Sequence, residues 1–236
     1  MTIHLQGQSF PRVELSKAEV TQMYQLFQEH YDRTTPALFE KDLADKNWVV
    51  LLREPSSGAI QGFSTLAFYT TQVENRSVGV VYSGDTIIRP AFWGTPELPR
   101  TWIKTVIAQA AVLPQPCYWL LISSGYKTYR FLTVFFREFY PHYDCPTPPH
   151  TQCLIDHLAK ERFGDDYHAA DGVIRFHIGA TPLRNGLADI DARRLKDPHV
   201  AFFNQRNPGH AQGDELVCLT TLDPGNFTAA GRRMAR

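Results

Sequence analysis

Two short stretches hold most of the residues whose types and spacing suit chemistry. Between His142 and His157 the chain places His142, Cys145, His150, Cys153 and His157. Imidazoles and thiols at that density are the raw material of a zinc site, which takes its ligands from tight pairs on knuckles or helices. Here the Pro-rich run CPTPPH separates the cysteines, and no second pair follows at a fixed spacing. Only Cys153 and His157 stand at i, i+4 on an expected helix. The expectation is therefore no metal. The four cysteines (Cys117, Cys145, Cys153 and Cys218) include no C-x-x-C pair and read as reduced thiols. The second stretch runs Ser123, Ser124, Gly125, Tyr126, Lys127, Thr128, Tyr129, Arg130, where an apolar run breaks into a helix. A cation in the first turn opposes the helix dipole unless an anion comes between them, so Lys127 and Arg130 point to an anionic ligand. Covalent catalysis finds no support. The chain has no G-x-S-x-G elbow, and no cysteine sits at a recognisable strand-to-helix turn.

The elements that must position these residues follow from periodicity and capping. Residues 16–31 read as an amphipathic helix with a Ser16–Glu19 capping box, and Thr35 with Pro36 opens a second helix to about Asp45. The runs 48–54, 59–73 and 77–89 read as an antiparallel meander, turned by Pro-Ser-Ser-Gly and by a polar ENR segment. A Pro/Gly loop at 90–95 leads into a helix at 96–112. The continuous apolar run CYWLLIS (117–123) suits a strand covered on both faces. A helix is expected over 126–140, stopped by Pro141. Beyond residue 145 the pattern predicts a helix near 149–162, a strand near 172–178, a polar stretch over 181–214 and a strand at 215–222. The tail after Asn226 is expected to fray.

Composition bounds the function. The 236 residues carry 24 basic and 24 acidic side chains, so the formal net charge is zero. That removes the usual driver for indiscriminate binding to nucleic acid or anionic membrane. No apolar run approaches the ~18–20 residues needed to cross a bilayer. The start MTIHLQGQSF lacks the basic and apolar regions of a signal peptide. The chain reads as a soluble, cytoplasmic protein without internal repeats.

The order α–α–β–β–β–loop–α–β–α in the first 140 residues resembles the GNAT superfamily of acyltransferases. The strand IIRP (87–90) and the following FWGTPELPR stand where that family has its pyrophosphate loop, and CYWLLISSG stands at its fifth strand. The resemblance implies an α+β fold with a mixed, largely antiparallel central sheet flanked by helices and an elaborated C-terminal part. Residues 1–145 would form the core that binds the acyl donor, and 146–236 would supply the remaining strands and the acceptor side. It also implies direct N-acyl transfer from a coenzyme A or acyl-carrier-protein thioester to an amine, either of a small molecule or of a peptide Lys or ornithine. In the donor site the resemblance implies Arg89, Trp93, Gly94 and Arg100 around the loop. Ser123 and Ser124 would meet the pantetheine arm, and Lys127 and Arg130 a phosphate. Asp85, within YSGDT, is the candidate base, and Tyr126 or Tyr129 the candidate acid for the leaving thiolate.

One departure from the family pattern has consequences. Only Gly94 remains of the glycine-rich run, and Pro96 and Pro99 lack the N–H groups that would cradle phosphate. The aromatics Phe131, Phe135, Phe136 and Phe139, with Phe68 and Trp93, read as core or as the wall of a channel for a medium or long acyl chain. Divergent relatives with weakened loops, such as N-acyl amino acid synthases, autoinducer synthases and fatty-acylating maturases of ribosomal peptides, are similar in this respect. A non-catalytic GNAT-like domain that binds a ligand or a protein is the other reading.

Overall fold

A computed structural model describes residues 4–177, 180–184 and 186–236. Among the described residues, eight strands form one sheet in the order β1-β2-β3-β4-β5-β8-β7-β6. These are β1 (Gln6–Pro11), β2 (Trp48–Arg53), β3 (Ile60–Val73), β4 (Arg76–Ile88), β5 (Cys117–Ser123), β6 (Tyr167–His168), β7 (Val173–Ile174) and β8 (Glu215–Thr221). Every neighbouring pair is antiparallel except β4 and β5, which run parallel. The mixed, largely antiparallel sheet expected from the sequence is therefore present.

Seven helices flank it among the described residues: α1 (Lys17–His30), α2 (Pro36–Ala44), α3 (Glu97–Ala110), α4 (Tyr126–Phe135), α5 (Pro149–Phe163), α6 (Pro198–Arg206) and α7 (Ala229–Ala235). Alternation along the strands sorts the core. Val50, Leu52, Val81, Leu121 and Leu216 pack with α3, α4 and α6. Val49, Leu51 and Phe63 face α1 and α2, and Val80, Leu120 and Val217 face α5. Burial on both sides explains the unbroken apolar run of β5.

The helix starts are those the residues dictate. Ser16 and Glu19 close a reciprocal capping box, and the Thr35 hydroxyl accepts from Leu38 N–H ahead of Pro36. Elsewhere the structure corrects the sequence reading. β1 was not expected, because its QGQSFP run is polar and pairs only at the sheet edge. The helix expected over 126–140 ends at Phe135. Arg137 N–H donates to Asn226 O, and Tyr140 exchanges backbone hydrogen bonds with Leu219 across an antiparallel bridge. α6 lies inside the stretch read as merely polar, started by Asp197 as N-cap. The tail is ordered as α7, capped by Thr228 and packed against α3. The strand expected near 172–178 is the two-residue β7, and Ile178 lies outside the described residues, as do the first three residues of the start read for a leader. No helix among the described residues is long and apolar enough to cross a membrane.

Candidate active site

The site grows out of two irregularities in the sheet. Gly79–Ser83 of β4 pair in parallel with Cys117–Leu121 of β5, and beyond Ser83 and Leu121 the pairing stops. β4 stays with β3, β5 stays with β8, and the two strands part. At the same level β4 carries a bulge, since Leu66 opposes Ser83 whereas Ser64 opposes Thr86. An extra residue breaks the two-residue alternation and re-aims the side chains that follow. Asp85 consequently borders the same cavity as Tyr82, on the sheet face covered by α1, α2 and α5. Gly84 is required here by close approach. A Cβ on it would lie 2.6 Å from Lys46 Cε and 2.7 Å from Thr65 Oγ1.

The cavity has a volume of about 710 Å³, a size typical of small-ligand sites. Asp85 enters it from β4 and Glu215 from the first residue of β8, one on each side of the end of β5. Tyr31, Asp42, Tyr82 and Arg162 complete its working surface. Burial pushes both Asp85 and Glu215 up, to about 8, and Asp42 adds repulsion to each. Lys46 opposes the rise at Asp85. Its side chain is fully buried, with Nζ 2.8 Å from Asp42 Oδ1, 3.0 Å from Asp42 O and 3.6 Å from Asp45 Oδ2. Arg162 stacks its guanidinium 3.8 Å above the Tyr82 ring and pairs with Asp45. Burial, with Asp85 and Glu215 adding to it, keeps the Tyr31 phenol well above its ordinary range and therefore protonated. Two carboxylates that titrate high and a neutral phenol thus share one cavity. An ammonium placed there would relieve both carboxylates.

The residues expected at the donor site are placed less simply. Ser123, Ser124 and also Thr128 line the cavity at the parted end of β5. Ser123 Oγ donates to Gly125 O at 2.7 Å, and Ser123 O accepts from Asn207 Nδ2 at 3.3 Å. Arg89 forms a two-point ion pair with Glu29, at 2.9 and 2.5 Å, and reaches Gln61. Arg100 pairs with Glu97 at 2.8 Å, and Arg130 lies 3.5 Å from Asp197. Lys127 Nζ sits 3.3 Å over the Trp93 ring, and Trp93 Nε1–H donates to Ile88 O at 3.0 Å. Gly94 has φ of +89°, with open space where a Cβ would point. Trp93 and Lys127 therefore join the loop ahead of α3 to the first turn of α4.

Neither tyrosine proposed as the acid reaches the cavity lining. Tyr129 is fully buried, donates its hydroxyl to Pro141 O at 3.2 Å and packs on Phe139 and Phe203. Tyr126 is buried in the core on the opposite sheet face. Phe131 packs on Trp102 and Trp119, and Phe136, just past α4, packs on Phe227, so that stripe forms core. Glu215, Tyr31 and Lys46 were not legible as site residues, because nothing local marks them.

No family model matches the chain, and no curated protein matches it. Solved structures with partial likeness include an Enterococcus faecalis protein described as a probable N-acyltransferase. It shares 13% identity and a TM-score of 0.41, with 56% of this chain matched to 33% of that one. A GNAT family N-acetyltransferase of Escherichia coli in complex with CoA shares 9% identity and a TM-score of 0.39, over 57% of this chain and 71% of that one. An Arabidopsis thaliana protein in complex with acetyl-CoA shares 10% identity and a TM-score of 0.41, over 59% of this chain and 89% of that one. At such identities and TM-scores these likenesses carry no functional assignment.

Proposed function

We propose that the chain is a divergent GNAT-type N-acyltransferase that moves an acyl group from a thioester to a cationic amine. The observation that carries this reading is the cavity at the parted ends of β4 and β5, where Asp85 and Glu215 face the same space. The amine enters as an ammonium between the two carboxylates and gives up its proton to Asp85, which Lys46 biases towards the ionised form. The free amine then attacks the thioester carbonyl, so that the C–N bond forms and the C–S bond breaks. The bulge leaves its extra residue outside the ladder, and we assign the N–H groups of Gly84 and Asp85 to the carbonyl oxygen. The Tyr31 phenol gives its proton to the leaving thiolate and regains one from the amine nitrogen as the amide forms, so the one proton left over from the ammonium rests on Asp85. No covalent enzyme intermediate is needed, and the main gain comes from holding amine and thioester together.

The donor is an acyl thioester on a phosphopantetheine arm, carried by coenzyme A or by an acyl carrier protein. It lies in the gap between β4 and β5, beside Ser123 and Ser124, with its phosphate near Lys127. A medium-length chain and the amine together suit the cavity, since the α4 aromatics are already packed against one another. The acceptor is a small amine or a peptide Lys or ornithine side chain. Residues 1–145 supply the donor side, and β8 with the chain around it supplies the acceptor side.

The direct test is thiol release from acetyl, octanoyl and palmitoyl thioesters, mixed with diamines, amino acids and Lys peptides, followed by mass spectrometry of the acylated product. A second reading, a non-catalytic domain of the same fold, is favoured by one observation. Arg89, Arg100, Arg130 and Lys127 are all engaged within the protein. Thermal stabilisation by acyl thioesters without any transfer to an amine would select it, since ligand at a hundred times Kd adds about 2.7 kcal/mol.

A further inference from the structure

Away from this cavity, the fold sorts the histidines and cysteines of residues 142–157 in a way the sequence does not foretell. Cys153 and His157, the pair at helical spacing, are exposed on α5. His142, Asp144 and Cys145, in the turn between α4 and α5, instead bring an imidazole nitrogen, a carboxylate oxygen and a thiol sulfur all within 4.8 Å of one another. The turn is held in place by packing. The His142 ring lies edge-on to Phe139 at 4.7 Å and to His199 of α6 at 5.0 Å, and Tyr143 meets His199 at 4.6 Å.

We propose that His142, Asp144 and Cys145 form a binding site for a zinc-type divalent transition metal. Nitrogen, oxygen and sulfur donors together match the borderline-soft ions and exclude magnesium and calcium, which take oxygen ligands. Three protein ligands leave a fourth position for solvent or an exchangeable ligand. The three residues themselves line a cavity of about 520 Å³, together with the rest of the turn and with Gln152, Phe202 and Arg206.

A second observation is independent of the cluster. His199 Nδ1 is enclosed and has no hydrogen-bond partner among the described residues. Its ring stands against His142, so a water on the metal would give that nitrogen the partner it lacks. His142 Nδ1 is paired with Asp144 in this structure. The metal takes the place of that contact, and the Cys145 thiol gives its proton to solvent as the metal–sulfur bond forms.

The experiment uses the full-length protein stripped with a chelator and titrated with Co²⁺ and with Zn²⁺. One equivalent should bind, and Co²⁺ should develop a thiolate-to-metal charge-transfer band in the near ultraviolet. C145S should abolish that band and weaken Zn²⁺ binding at least tenfold. H142A and D144N should weaken it by a similar factor, while C153S should bind as the wild type does. Asp144 and Cys145 are exposed, so D144N and C145S leave the core intact and carry the test where H142A disturbs the packing of the turn. Absence of stoichiometric binding, or a band that survives C145S, would overturn the proposal.

Discussion

Asp85 on β4 and Glu215 on β8 reach one cavity from opposite sides of the end of β5, and Asp85 adds to the burial that raises the proton affinity of Glu215. Neither strand alone produces this arrangement. The parting of β4 from β5 opens the space, and the bulge at Gly84 turns Asp85 towards it. The acid–base behaviour of the site therefore reports on the fold directly.

The first expectation concerns pH and turnover. The base must be ionised before it can accept a proton, and the pair titrates near 8. With a fixed amine, kcat/KM should climb as pH rises from about 6 to about 9 and then level. K46M removes the positive charge that favours ionised Asp85, so its rising limb should move to higher pH. An unchanged limb in K46M would separate Lys46 from the chemistry.

The same titrations govern stability, with a defined sign. Carboxylates in the unfolded chain titrate near 4, whereas the folded pair titrates near 8. Between those values the folded state binds more protons, so stability falls as pH rises through this window. The double variant D85N/E215Q should flatten that fall and melt higher than the wild type at pH 8, by roughly 2–4 °C for each kcal/mol relieved. Calorimetry across pH 5–9 would check it; parallel curves for the two proteins would count against the burial of this pair.

Gly84 tests the bulge itself. In G84A the new methyl collides with Lys46 Cε and Thr65 Oγ1. The variant should lose about 1–3 kcal/mol in denaturant unfolding. Its kcat should drop more than its KM changes, because the strand that presents Asp85 is displaced.

The contact of Lys127 on Trp93 makes a prediction about donor entry. It joins the loop ahead of α3 to the start of α4, where the proposed function puts the donor's phosphate. W93A should therefore lower KM for the donor, or speed its association in stopped flow, with little change in KM for the amine. A raised donor KM would mean that Trp93 holds the donor rather than closing over its path.

Much of the frame was legible because it is written locally. The Ser16–Glu19 box, Thr35 ahead of Pro36, and the β-rich runs of β2 to β4 between turn residues each fix an element from a few adjacent residues. The resemblance names Asp85, within YSGDT, as the candidate base, but the bulge that turns it into the cavity shows only once β3 is laid beside β4. Glu215 was not legible, because its partnership with Asp85 exists only after β8 is laid beside β5. Nothing adjacent to Lys46 in the sequence marks its burial, although its side chain is wholly buried. The resemblance puts Arg89 and Arg100 around the donor loop, but their partners Glu29 and Glu97 become visible only in the folded chain. The aromatic run of 131–139 was ambiguous between core and channel until Trp102 and Trp119 came from elsewhere to fill the space.

Single-turnover transfer by the wild type and by D85N, each saturated with thioester and amine at pH 8, tests the central claim most directly. If Asp85 takes the amine proton, product formation in D85N should slow by roughly 10²–10⁴ while the donor still binds with unchanged affinity. A D85N protein that acylates the amine at the wild-type rate would contradict the account.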